Sequence, residues 1–173
     1  SIMALGGSAI GISGADGGML QARMAKSELG LVGEISKVDT KPVNAVIATG
    51  AMPVIAPIAA HYCDGQAIEP PLLNVNADTA AGEIAHALKA DQFVVLTDVE
   101  GVLDSNRRLI PRLTRKQAES LVHSNIVEGG MVPKLEACVT ALGHVDVAQI
   151  IDGRKPDALI DIVSGKQIGT RVG

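Results

Sequence analysis

The chain has 173 residues, 47% of them hydrophobic but only 1% aromatic, and carries a formal net charge of -4. That supplies one domain with a core of Val, Ile, Leu, Ala and Met, and aliphatic runs with 19 glycines suit a layered α/β protein. The acidic balance and the near absence of aromatics argue against a nucleic-acid partner, no apolar stretch reaches the ~18 residues of a membrane span, and two distant cysteines, Cys63 and Cys138, argue against a disulfide framework or metal motif and for a reducing, cytoplasmic setting.

In chain order, Ala9 to Ser13 reads as a short buried strand between glycines. Met19 to Met24 and Val32 to Val38 read as an antiparallel pair, with turn signals at Asp16-Gly17-Gly18 and Gly30. Pro42 to Thr49 suits a short helix ended by Gly50, and Pro53 to Ala56 an apolar strand. Cys63 to Pro71 reads as a loop, from Asp64-Gly65 and Pro70-Pro71. Asn74 to Ala90 turns helical: Asp78 or Thr79 is placed to cap it, and Ala80, Ala81, Ile84, Ala85 and Leu88 form an apolar face.

Phe93 to Leu96 is the clearest strand and runs into Thr97-Asp98 and a turn at Gly101. Thr114 opens a helix with Gln117 three residues on, the spacing of a capping box. Gly129-Gly130 precedes a helix from about Met131 to Leu142, Val145 to Ile151 is a strand ending at Asp152-Gly153, and a helix over Pro156 to Val163 and a strand around Thr170 close the chain. Strands and helices alternate through this second half, which predicts parallel strands with functional residues at their C-terminal ends. Three such ends are polar: Asn74 to Asp78, Thr97-Asp98 and Asp152-Gly153-Arg154.

Each constellation has a plain alternative. Asn74, Asn76 and Asp78 at a helix start can orient a polar ligand where exposed N–H groups favour anions, or can simply cap the helix and make Asx turns. Thr97-Asp98 with Gly101 suits ribose or phosphate recognition, or is an ordinary strand-to-loop turn. Gly129-Gly130 lets a ligand approach backbone, Pro133 fits a first turn, and Lys134 can neutralise a phosphate, or is a surface lysine. His61, His86, His123 and His144 show no metal-ligand spacing and do not converge in sequence. No phosphate-binding glycine loop or nucleophile elbow is present.

The order of these motifs is more specific than any one of them. Gly6 to Gly17 (GGSAIGISGADG), Pro53 to Ile58 (PVIAPI), Asn74 to Gly82 (NVNADTAAG), Leu96 to Leu103 (LTDVEGVL), Gly129 to Leu135 (GGMVPKL), Ile151 to Arg154 (IDGR) and Gly169 to Val172 (GTRV) together resemble the acetylglutamate kinases of the amino acid kinase family, over essentially the whole chain.

The resemblance implies an α/β fold, a three-layer αβα sandwich with a mainly parallel sheet, of which residues 1–173 form the C-terminal, ATP-binding part, with 1–18 the tail of an N-terminal lobe that is otherwise absent. It implies ATP-dependent phosphorylation of the γ-carboxylate of N-acetyl-L-glutamate in arginine biosynthesis. Asn74 matches the asparagine that holds acetylglutamate, with Asn76 beside it. Asp78 matches the aspartate that organises catalytic lysines, and Lys134 the lysine that stabilises the transferring phosphoryl group. Thr97, Asp98, Gly101 and Leu103 match the nucleotide-binding loop, Gly130 is nucleotide-binding as well, and Met131 matches the adenine-side wall. Mg²⁺ would be held mainly through the nucleotide phosphates, with no dedicated metal ligand, and the complete protein would be a homo-oligomer. Binding of a PII signalling protein finds no support in these residues. The family's glycine-rich lysine, second glycine-rich loop and substrate-binding arginine have no counterpart here, so the 173 residues alone are expected to be catalytically incompetent. The alternatives are an aminoadipate-type or other amino acid kinase, against which the N-x-N-A-D sequence argues, and a nucleotide-binding or regulatory module without catalysis.

Overall fold

The structure, a computed structural model, describes residues 2–63, 65–124, 127 and 129–173. Asp64, named above, lies outside the described residues. The chain divides into two compact units, 1–80 and 81–173.

In the first unit, β1 (Ala9–Ser13) pairs in parallel with β4 (Met52–Ala56), the connection carrying α1 (Lys41–Ala48). A second sheet has the order β3-β2-β5-β6, built from β2 (Leu20–Met24), β3 (Gly33–Val38), β5 (Ile58–Cys63) and β6 (Gln66–Asn74). β2 and β3 are antiparallel, as the turn signals predict. Met19, Leu20, Ala22, Ala59 and Leu73 are buried there. The β1–β4 pair is different: Ile10, Met52 and Val54 are exposed, although parallel strands ordinarily have both faces covered.

The stretch Cys63 to Pro71, expected as a loop, is instead most of a β-hairpin, with β5 and β6 antiparallel. Two prolines in a row hide this strand from a sequence reading. They are tolerated because β6 lies at the sheet edge and because the register slips here. Ala60 opposes Leu72 but Tyr62 opposes Ala67, so 68–71 bulge out of the ladder. Buried His61 bridges the bulge, its Nδ1–H donating to the Pro70 carbonyl at 3.0 Å.

Within the stretch 74–90 expected to turn helical, Asn74 still closes β6, and α2 (Ala77–Leu88) begins just before the expected caps Asp78 and Thr79. Asn76, and not Asp78 or Thr79, caps it: its Oδ1 accepts from the Thr79 amide at 3.0 Å and its carbonyl takes the first helical bond, from Ala80.

The second unit is a mixed sheet of order β7-β9-β10-β8, made of β7 (Gln92–Thr97), β8 (Arg112–Leu113), β9 (Val147–Asp152) and β10 (Thr170–Val172). β7–β9 and β8–β10 are parallel and β9–β10 antiparallel. The α/β class is as expected. One sheet face carries Phe93, Val95, Ala148, Ile150, Leu113 and Val172 into the main core, where Leu135, Ala137, Cys138 and Ala141 of α4 (Met131–Ala141) and Ala118 of α3 (Arg115–His123) meet them. The opposite face is served by α5 (Ala158–Val163), through Ala158 and Ile162 on Ile151 and Val94. Thr114 and Gln117 form the expected capping box of α3, with bonds of 3.3 and 2.8 Å between side chain and backbone. α2 and α4 touch at Gly82, where a side-chain carbon would lie 2.7 Å from the Ala137 carbonyl oxygen. That crossing brings His86 and His144 edge to face, ring centroids 4.2 Å apart, so these two histidines do converge, 58 residues apart in sequence.

Candidate functional site

The β7 and β9 ends carry the densest polar cluster. Parallel pairing sets Thr97 opposite Asp152, and the Gly153 amide donates to the Thr97 carbonyl at 2.8 Å, so both loops leave the sheet together. Asp152 is buried and gripped by Arg154: the guanidinium Nε donates to one carboxylate oxygen and a terminal NH2 to the other, each at 2.9 Å, and the Arg154 amide adds a third bond at 3.0 Å. These bonds hold the Asp152 carboxyl at about 2 against an ordinary 3.8. Arg154 is pushed above its usual value by the same carboxylate and, more weakly, by the charge of Asp98. Next to it, Lys155 pairs with Glu100 at 2.9 Å, tying the β9 loop to the β7 loop.

Asp98, Glu100 and Asp152 thus outnumber Arg154 and Lys155 at these strand ends. An arrangement with surplus carboxylate is suited to hydroxyl groups or a cation, and poorly suited to a bare phosphate. Of the two ligands open at the sequence level, the charge favours ribose. A cleft of about 270 Å³ adjoins the cluster, lined by Leu96, Gly153, Lys155, Asp157 and the start of α5.

Gly101 and Leu103, expected to bind nucleotide, sit deeper. Gly101 is buried at φ +154°, and a side-chain carbon there would lie 2.7 Å from Thr170 Oγ1 and 2.9 Å from the Thr170 amide. Its missing side chain makes room for β10. Thr170 uses that proximity: its hydroxyl accepts from the Val102 amide at 2.8 Å and donates to the Ile110 carbonyl at 2.7 Å, fully buried. Leu103 is half-buried and bridges to Leu109, while Asp104 Oδ1 accepts from the Asn106 and Arg108 amides at 2.8 Å. Gly101 and Leu103 therefore shape the loop that presents Thr97 and Asp98.

On α4 the approach to the first turn is open: Gly129 and Gly130 are exposed, and a side-chain carbon on either would meet nothing within 4 Å. Met131 packs against the main core and Lys134 is half-buried in the first turn.

Asn74, Asn76 and Asp78 belong to the other unit. Asn74 is exposed at the end of β6, Asp78 is half-buried in the first turn of α2, and Asn76 spends its oxygen on Thr79, leaving its NH2 group to offer a ligand. In the sequence Asp152-Gly153-Arg154 is a polar strand end with no role of its own, and Thr170 is only part of the closing strand. A charged Asp-Gly-Arg ending an otherwise apolar strand was the available signal.

A profile of the Amino acid kinase family matches residues 1–152. The chain is 42% identical to the acetylglutamate kinase of Synechococcus sp. (strain RCC307), over 97% of this chain and 57% of that protein. It is 44% identical to the acetylglutamate kinase of Caldanaerobacter subterraneus subsp. tengcongensis, over 98% of this chain and 57% of that protein. The chain therefore spans less than two thirds of the length of these relatives. Among solved structures it resembles smu.665 from Streptococcus mutans UA159 (TM-score 0.79, 22% identity, 99% of this chain and 63% of that one). It also resembles the isopentenyl phosphate kinase of T. acidophilum (TM-score 0.65, 21% identity, 99% and 62%), likenesses that show the fold. With the family profile covering most of the chain and the same α/β architecture in its structural neighbours, the chain belongs to the amino acid kinase family.

Proposed function

We propose that this chain is the nucleotide-binding part of an acetylglutamate kinase, which transfers the γ-phosphoryl group of ATP to the side-chain carboxylate of N-acetyl-L-glutamate in the cytoplasm. The observation that carries the reading is the identity of more than 40%, spread over nearly the whole chain, with proteins named acetylglutamate kinase.

The chemistry asks little covalent work of the protein. A carboxylate with a pKa near ~4.3 is ionised at neutral pH and needs no general base. What must be overcome is repulsion between two anions held in line, so positioning and charge screening dominate. Lys134 and the open start of α4 are assigned to the phosphates, Thr97 and Asp98 to the ribose side, Asn74 to acetylglutamate, and Asp78 to orienting lysines. The fit to a nucleotide rests on the exposed glycines ahead of α4 and the carboxylate-rich strand ends. Mg²⁺, which screens charge between phosphate oxygens, would arrive on the nucleotide and be held mainly through its phosphates.

Turnover is assigned to a longer polypeptide than these 173 residues, one that also forms the homo-oligomer. The exposed Ile10, Met52 and Val54 of the two-stranded β1–β4 pair support this, as a parallel pair that in a working enzyme would be covered.

Calorimetric titration with ADP tests the nucleotide assignment. Saturable binding is expected, weakened roughly 10- to 100-fold by Lys134→Ala, the range for a lost charge-assisted contact. No binding by a chain that circular dichroism shows to be folded overturns the assignment. ADP release dependent on acetylglutamate, from these residues alone, overturns the claim that more polypeptide is needed.

A further inference from the structure

The face of the second sheet turned away from the main core carries a row that the kinase reading leaves unused. Register places Val94 beside Gln149, Gln149 beside Arg171 and Arg171 beside Arg112, one residue from each strand across β7-β9-β10-β8. Neighbouring strands lie about 4.8 Å apart, so the two arginines are rooted side by side on one face. Like charges in that position repel, and sheets ordinarily avoid them or interleave an acid. Here, among the described residues, no carboxylate lies within ion-pair distance of either arginine.

Two more features mark the row as built for something. Arg171 Nε is fully buried with no hydrogen-bond partner, the sole buried side-chain nitrogen or oxygen among the described residues in that state. Gln149 is 7% exposed in the middle of an otherwise apolar strand, where its neighbours Ala148, Ile150 and Ile151 are fully buried. A buried unmet donor and a buried amide both cost stability and call for a partner. Burial is graded along the row: Arg112 is exposed on the two-residue edge strand β8, Arg171 is half-buried and Gln149 is buried. Nothing in the overall charge of -4 would place a cationic row here by default.

We propose that Arg112, Arg171 and Gln149 form a binding site for a small oxyanion with several acceptor oxygens, a phosphate compound or a polycarboxylate. Two guanidinium forks offer paired donors to such a group, and the Gln149 amide supplies a neutral donor at the buried end. Gln149 lies three residues before Asp152 on β9, about 10 Å along the strand, and its side chain is on the α5 face of the sheet. The site is thus separate from the strand-end cluster, and it does not rest on the kinase reading.

The test is calorimetric titration of the chain with pyrophosphate, inorganic phosphate and citrate, in a Lys134→Ala background so that the proposed nucleotide site contributes little. Saturable binding is expected for pyrophosphate or citrate, tighter than for phosphate and weakening with added salt. Arg112→Gln and Arg171→Met are each expected to weaken it about tenfold or more. Preference for pyrophosphate identifies a phosphate site, and preference for citrate a carboxylate site. Arg171→Met also separates binding from folding. It removes a buried unmet donor and a like-charge neighbour, so its thermal midpoint should equal or exceed the parent's while binding is lost. No saturable binding of any of the three anions, or binding unchanged in both variants, overturns the proposal.

Discussion

Thr170→Val is the substitution that best tests how the loop after β7 is held. Valine keeps the shape and burial of threonine but removes a hydroxyl that accepts from the Val102 amide and donates to the Ile110 carbonyl. Val102 is fully buried, so no water replaces the lost acceptor. An unmet buried polar group costs about 1–3 kcal/mol, so the pair should cost roughly 2–5 kcal/mol. At about 2–4 °C per kcal/mol for a chain of this size, the thermal midpoint should fall by roughly 4–20 °C. Thr170→Ser, which keeps the hydroxyl and loses a methyl, should cost only about 1 kcal/mol. Thermal unfolding followed by circular dichroism reads the midpoint, and hydrogen exchange reads the Val102 amide, whose protection should drop with valine and persist with serine. Equal midpoints for valine and wild type, or serine as damaging as valine, would refute the account. Gly101→Ala should hurt through the same contact, because its new carbon would lie 2.7 Å from that hydroxyl, at a cost of about 1–3 kcal/mol. The double variant should lose less than the sum, since both changes break one arrangement.

Asn76→Ala should destabilise by about 1 kcal/mol in denaturant unfolding, with Asn76→Ser close to wild type, because the cap of α2 is the Asn76 oxygen; an unchanged midpoint for alanine would contradict that cap. Folding lowers the Asp152 carboxyl from 3.8 to about 2, so its stabilisation is complete above about pH 4 and lost as pH falls toward 2. Asp152→Asn should therefore lower stability at neutral pH and flatten the pH dependence between 4 and 2, measured by urea midpoints across that range. Gly82→Ala should cost about 1–3 kcal/mol, because the new carbon meets the Ala137 carbonyl at 2.7 Å and backbone cannot swing aside; a stabilised variant, the usual result in an open helix, would show that α2 and α4 are not in contact there.

Elements with strong local signals were legible in the sequence. The capping box at Thr114, the antiparallel excursion over β2 and β3, and the apolar runs of β7 and β9 all stand where pattern and turn chemistry put them. What failed was set by pairing. β6 carries Pro70-Pro71, which reads as a break, and only its edge position and the register slip opposite Tyr62 make it a strand. The cap of α2 was placed two residues late because Asn76, Asp78 and Thr79 are all competent caps, and the choice depends on where β6 stops. β8 is two residues long and exists only as a partner for β10. The candidate site was legible as motifs, but its geometry was not. The grip of Arg154 on Asp152 and the alignment of Asp152 with Thr97 arise from sheet register. The hydroxyl of Thr170 reaches a loop 68 residues earlier in the chain.

The arginines divide by what neutralises them, and that division says where anions can sit. Arg154 is spent: both oxygens of Asp152 hold its guanidinium, and it serves to shape the β9 loop rather than to meet a phosphate. With Lys155 also paired to Glu100, the strand ends have no surplus positive charge. Phosphoryl transfer between two anions needs that surplus near the moving group. On the proposed kinase reading that role in the second unit is assigned to the open N-terminal turn of α4. The strand ends then suit the sugar, whose hydroxyls are matched by carboxylates. Arg112 and Arg171 lie on the α5 face of the sheet without an acid, too far along the strands to serve the same phosphates. An acidic chain that leaves two adjacent guanidiniums uncompensated, one with a buried unmet donor, has placed them for a separate anion.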